Sequence, residues 1–183
     1  MSLSGVTPDH DVMAVTPAGF RKALGCFATG VAVITVEIDG QVHGMTANAF
    51  TSVSLDPPLV LVCVKRQSRT HECLHATQRF GANILTDKQR PVSEHFALPC
   101  GVRSAEIKYA ALFFRSERGT PVLEGSLAFL ECRVDEMHVA GDHTIFLARV
   151  EEIMTGGGDP LLYFRGTYRC VGRIDEENGG ERL

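Results

Sequence analysis

Several things are missing from this 183-residue chain, and each omission narrows what it can be. No apolar stretch approaches the roughly 18 uninterrupted residues of a membrane-spanning helix, so no membrane partner is expected. Its 18 basic residues are outnumbered by 22 acidic ones, giving a net charge of −4 with no basic stripe, which argues against nucleic acid. The opening Met1–Ala14 carries Asp9, His10 and Asp11 and lacks the basic-then-apolar order of a secretory signal; the expected location is cytoplasmic. No C-x-x-C occurs among Cys26, Cys63, Cys73, Cys100, Cys132 and Cys170, and reduced thiols packed as small hydrophobes are expected. G-x-G-x-x-G is absent too, which removes the Rossmann grip on a dinucleotide.

What is present is an ordinary globular composition, 44% hydrophobic and 22% charged, sized for one domain with its own core. That domain is expected over 16–173, between an N-terminal arm (1–15) and a polar tail (174–183). Thr16 caps a first helix with Pro17 at its first position; Phe20, Ala23, Leu24 and Phe27 recur at helical spacing, and Gly30 ends the segment. The period then drops to two. Val31–Ile38 and Gln41–Thr46 flank the hairpin dipeptide Asp39-Gly40. Further strands are expected at Val53–Leu55, Leu59–Val64, Phe80–Leu85, Leu127–Met137, Thr144–Ile153, Leu161–Phe164 and Thr167–Val171. Short helices fall at Arg69–Thr77 and Asp87–Phe96, while Tyr109–Gly119 shows no clear period and reads as loop. Strands with helices inserted between them, rather than strict alternation, indicate a mainly β barrel with peripheral helices.

One motif invites a metal reading. His71-Glu72-Cys73-Leu74-His75 matches H-E-x-x-H, which on a helix sets two imidazoles on one face for zinc, with Glu72 as general base. The pattern is short and arises by chance. Its extended form needs Gly where Gln78 stands and His where Gly81 stands, and the helix is brief. A zinc hydrolase is the weaker alternative, and no metal is expected.

A second region concentrates small polar residues where a strand gives way to a loop. It runs Ala28-Thr29-Gly30-Val31-Ala32-Val33-Ile34-Thr35, then Gly44-Met45-Thr46-Ala47-Asn48-Ala49-Phe50-Thr51-Ser52-Val53-Ser54-Leu55-Asp56-Pro57-Pro58-Leu59-Val60-Leu61. Small side chains let a planar ligand approach the backbone, and hydroxyl and N–H groups suit phosphate and ribityl oxygens. A polar edge strand and turn accounts for the composition equally well.

In order along the chain, these runs, Ser68-Arg69-Thr70, the Gly81–Thr86 strand, Gly125-Ser126-Leu127-Ala128, Gly141-Asp142-His143 and Pro160–Tyr168 resemble the flavin reductase-like family. Its members are reductase components of two-component flavin-dependent monooxygenases, and the likeness covers Phe20 to about Val171. The resemblance implies an FMN-binding split β-barrel, homodimeric, that takes a hydride from NADH or NADPH and passes it to FMN or FAD for a separate monooxygenase. It places Thr29, Gly30, Val31, Ala32 and Val33 along the flavin cleft, with Thr46, Ala47 and Asn48 beside the ring and ribityl chain. Thr51, Ser52, Ser68, Arg69 and Thr70 would receive the phosphate, Asn83 and Arg165 would be secondary contacts, and Asp142 and His143 would meet the nicotinamide nucleotide. The family commonly has a polar residue where Ala49 stands, which puts one hydroxyl contact in doubt. No catalytic side chain is demanded, because the hydride passes between cofactors. A related carrier or sensor that binds flavin without fast reduction is the other alternative.

Overall fold

The computed structural model describes residues 15–99, 102 and 112–172. Nearly all of the expected arm, the whole tail, Cys100 and residues 109–111 of the stretch read as loop lie outside them.

Seven antiparallel strands form one sheet in the order β3-β2-β6-β9-β10-β5-β4. They are β2 (Ala32–Ile38), β3 (Gln41–Ala47), β4 (Phe50–Leu55), β5 (Pro58–Lys65), β6 (Arg79–Ile84), β9 (Ala128–Ala140) and β10 (His143–Thr155). A single apolar cluster draws Ile34 and Val36 from β2, Ala47 from the β3 edge, Val60, Val62 and Val64 from β5, Phe80 and Ala82 from β6, Cys132 and Val134 from β9, and Phe146 and Ala148 from β10. Phe50, on the opposite edge strand β4, packs on the same cluster, so the sheet is curled around it. This is the expected barrel. Its edges, β3 and β4, are not hydrogen-bonded to each other and are joined only through Asn48-Ala49.

Helix α1 (Pro17–Leu24) precedes β1 (Thr29–Gly30), while α2 (Arg69–Thr77) inserts Cys73 and Leu74 into the barrel core. A 3-10 turn (Asp87–Gln89) leads into α3 (Arg90–Ala97), where one continuous helix from Asp87 was expected. Thr86 opens the turn with a capping box, its N–H taken by the Gln89 side chain, and Pro91 in the first turn of α3 has no N–H to carry the helical ladder back to Asp87. Val92 and Phe96 of α3 join Val31, Val33, Leu85, Leu123 and Leu161 in a second core against the outside of the sheet. The stretch read as loop contains β7 (Phe113–Arg115), paired with β8 (Pro121–Leu123). Short β11 (Leu162–Phe164) lies between β1 and β12 (Thr167–Arg169) and pairs with both in a separate small sheet.

Local chemistry explains the turns. Asp39 and Gly40 both have positive φ, 52° and 72°, the type I′ requirement of a two-residue hairpin. Ser68 caps α2 by accepting the His71 N–H at 3.2 Å. Two glycines serve close packing instead. A Cβ on Gly44 would stand 2.6 Å from the Phe96 ring, and one on Gly81 would stand 2.5 Å from Phe129 and 2.6 Å from the Thr35 hydroxyl.

Helix α1 is the unexpected element. Its apolar residues keep helical spacing, yet Gly19 alone is buried, and Phe20, Leu24 and the following Phe27 are 60%, 53% and 72% exposed. Among the described residues, this amphipathic stripe is not packed against the core.

Candidate functional site

Where the chain leaves α1 and enters β1, it borders a hollow of about 660 Å³, a size suited to a small organic ligand. Leu24, Phe27, Ala28, Thr29 and Gly30 form one wall; Asn48, Ala49, Phe50 and Thr51 form another, with Leu61 and Cys63 between. Strand alternation puts them there. Val60, Val62 and Val64 of β5 face the barrel core, so Leu61 and Cys63 face out. Thr51 lies opposite Leu61 in the register, and the Cys63 N–H donates to the Ala49 carbonyl at 3.0 Å. Burial pushes the Cys63 thiol above its ordinary pKa, so it stays protonated and presents a soft, uncharged surface. Gly30 has open space where a Cβ would stand. The Thr29 hydroxyl oxygen is buried without a hydrogen-bond partner, an arrangement that a ligand acceptor or donor would complete.

The hollow thus gathers Thr29, Gly30, Asn48 and Thr51 from the residues expected at the site. Others are spent on the fold. Val31, Ala32 and Val33 are buried, Ala32 and Val33 between β3 and β6, so their side chains do not face the cleft. Ala47 belongs to the barrel core, and the Thr46 hydroxyl donates to the Ser93 carbonyl at 2.7 Å. Ser52 is exposed on β4. Asn83 departs most clearly from its expected contact role. It is fully buried, donates to the Val33 carbonyl and the Thr35 hydroxyl, and accepts the Leu123 N–H, so its side chain is engaged inside the protein. Arg165 stands apart at a second hollow of about 560 Å³ with Arg21, Lys22, Gly25, Cys26 and Gly166.

A third hollow, about 740 Å³, opens at the start of α2 and is lined by Lys65, Arg66, Gln67, His71, Gly141 and Asp142. Two-residue closure of the β9–β10 hairpin brings it about: His143 pairs with Lys65 across the sheet, and the Arg66 N–H donates to the Asp142 carbonyl at 3.0 Å. His143 Nδ1 lies 2.8 Å from an Asp142 carboxylate oxygen, which holds Asp142 below its ordinary pKa and fixes the exposed imidazole. Ser68 and Arg69 begin the adjoining helix. Arg69 reaches Glu72 at 2.8 Å on the surface, a pair easily exchanged for a ligand phosphate, and Thr70 is buried.

The H-E-x-x-H residues are engaged locally. His71 Nε2 is 2.9 Å from the Thr144 hydroxyl, and the His71 and His75 rings stack with centroids 6.4 Å apart. Burial, then the neighbouring His75 and Arg66, hold His71 below the ordinary imidazole pKa and so neutral. Among the described residues no group of three or more His, Cys, Asp or Glu is placed to hold a metal ion.

Sequence reasoning missed Leu24, Phe27, Leu61, Cys63, Lys65 and Arg66 as lining residues. For β5 the signal was available: its strict alternation names Leu61 and Cys63 as the face turned from the core.

The protein is thus a curled antiparallel barrel with a ligand-sized hollow where α1 meets β1, bordered by the Asn48-Ala49 junction of its two edge strands. The chain belongs to the flavin reductase-like domain family, whose model matches residues 24–172. It is 46% identical to an NADH-dependent flavin reductase of a Rhodococcus species, over 86% of this chain and 88% of that one. It is 40% identical to the reductase subunit HsaB of a Mycobacterium tuberculosis flavin-dependent monooxygenase, over 86% and 83%. Its fold matches the Streptomyces globisporus NADH:FAD oxidoreductase SgcE6 with a TM-score of 0.82 at 34% identity, covering 91% of this chain and all of the other.

Proposed function

We propose that this protein is an NADH-dependent flavin reductase that passes reduced FMN or FAD to a separate monooxygenase component. The observation that carries the reading is the buried, unpartnered Thr29 hydroxyl at the wall of an apolar-floored slot of small residues. Flavin bound there supplies the hydride acceptor at N5 of its ring. Thr29, Gly30, Asn48 and Thr51 set the plane of that ring and the start of the ribityl chain. Ser68, Arg69 and the first N–H groups of α2 hold the phosphate, with Arg69 exchanging Glu72 for it. Asp142 and His143 would receive the nicotinamide nucleotide and orient it toward the flavin. Leu61, Cys63 and Phe27 exclude water from the reacting faces without taking part in proton transfer.

On this reading the reductase domain spans 16–173, flanked by the arm and the tail, and the protein works in the cytoplasm. A homodimer is supported by the exposed Phe20, Leu24 and Phe27, the last two of which border the slot, because among the described residues nothing covers this apolar face. NADH as reductant is supported by the names of the relatives. Anaerobic stopped-flow mixing with NADH, in the presence of FMN, FAD or riboflavin, tests the proposal. Flavin bleaching at a catalytic rate is expected; binding with no bleaching by NADH or NADPH would reduce the protein to a carrier.

A further inference from the structure

Away from the slot, at the far end of β9, two glutamates occupy directly opposed positions of the sheet. Glu131 on β9 pairs with Glu152 on β10, next to a register shift that sets Glu151 aside. Cross-strand partners share one face, where two like charges repel. Glu131 is fully buried. One of its oxygens takes the Arg79 guanidinium at 2.7 Å and the Thr120 hydroxyl at 2.9 Å. Its other oxygen, Oε2, is buried and has no hydrogen-bond partner among the described residues, and the same holds for Oε2 of Glu152.

Among the described residues, the neighbouring cations do not reach these two oxygens within hydrogen-bond distance. From β6, Arg79 is shared between Glu131 and Glu151, the latter at 2.9 Å. From β9, Arg133 is committed to Glu151 and Asp135. From the turn between β7 and β8, Arg118 stands 3.7 Å from both Glu151 and Glu152, beyond hydrogen-bond distance, and Glu117 adds a further negative charge. Two orphaned acceptors face each other, and one donor would satisfy both.

We infer that Glu131 and Glu152 share a single proton, carried by Glu152 and donated to Glu131, and that this proton is a pH-sensitive element of the clasp tying the β7–β8 turn to the barrel. Glu131 is the better-compensated partner. Burial raises it, but the Ser116 and Thr120 hydroxyls and Arg79 more than offset this and leave its pKa below the ordinary value. Burial and the charges of Glu131 and Glu117 instead push Glu152 up. The clasp is the same group of atoms: Thr120 donates to Glu131, its own N–H donates to the Ser116 hydroxyl, and Arg118 reaches toward Glu152. Because the folded state holds this proton more tightly than the unfolded chain, its stabilising contribution is complete below the ordinary glutamate value of 4.5 and is lost as pH rises through the raised one.

Infrared spectroscopy of the full-length protein in a series of buffers above pH 4.5 tests the inference, together with thermal unfolding over the same series. The wild-type protein is expected to show a protonated-carboxyl stretch that disappears on alkalinisation, and a melting temperature that declines in step. Glu152→Gln keeps a donor toward Glu131 and cannot titrate; it should lose the band and the decline, while Glu151→Gln retains both. A band and slope that persist in Glu152→Gln would overturn the assignment. So would a wild-type protein with no such band, a result that needs no variant to fold.

Discussion

The side-chain carbonyl of Asn83 accepts the main-chain N–H of Leu123 at 2.7 Å, joining the barrel wall to the β7–β8 hairpin from inside. Its amide group is used as well, on the Val33 carbonyl and the Thr35 hydroxyl, both at 3.0 Å. Asn83→Leu strands a buried N–H and is expected to cost about 2–3 kcal/mol. Denaturant unfolding should register that loss, while flavin titration of the folded variant should give a nearly unchanged Kd. A variant of wild-type stability with weakened flavin binding would return Asn83 to the cleft.

Thr29→Val removes a hydroxyl that has no partner among the described residues, so stability should hold or rise slightly. Flavin affinity, followed by fluorescence quenching, should fall by about five- to tenfold, one hydrogen bond's worth. An unaltered Kd would mean that the slot does not present Thr29 to the ligand.

Arg69 is solvent-facing and paired only with Glu72, so Arg69→Ala should leave the fold intact. Binding of FMN is expected to weaken by roughly tenfold, with riboflavin little affected, since a phosphate contact is worth about 1.5–3 kcal/mol. Equal losses for the two ligands would remove the phosphate from this helix start.

His143→Ala breaks the contact with Asp142 at the hairpin tip. The Michaelis constant for NADH should rise several-fold while flavin affinity stays put. Steady-state NADH kinetics identical to wild type would place the nicotinamide nucleotide elsewhere.

Arg79→Met leaves fully buried Glu131 without its guanidinium and should destabilise by about 3–5 kcal/mol at neutral pH. The pH dependence has a definite sign. Glu131 titrates below its ordinary value in the folded state, so its contribution is present above 4.5 and is lost as the pH falls through the depressed value. The wild-type and variant unfolding curves should therefore converge in acid. A gap that widens on acidification would contradict the role given to Arg79.

Much of this architecture could be read from residues alone because local chemistry and tertiary packing agree there. Asp39-Gly40 admits a hairpin, and Ser68 starts a helix whose bounds, Arg69–Thr77, match the expectation. The long ribbon was underestimated on one side: β9 runs on to Ala140 through residues 135–140, all exposed and so without a burial pattern, whereas β10 begins at His143 with alternating burial. The apolar stripe of α1 was legible as a helix but not as an outward face, since periodicity reports that residues share a side and not what lies against it. Asn83 failed for a related reason. A polar residue in a strand looks the same whether it is turned to a cleft or locked in the core; only the register with β2 and the approach of Leu123 distinguish the two.

Gly44 and Gly81 carry a practical corollary. Each is a gap already occupied by a neighbour's aromatic ring, so the absent methyl is what allows Phe96 and Phe129 to seat. Anyone randomising this scaffold to alter its cofactor preference should hold these two positions fixed, because alanine, ordinarily the safest replacement, would here dislodge a ring from the core.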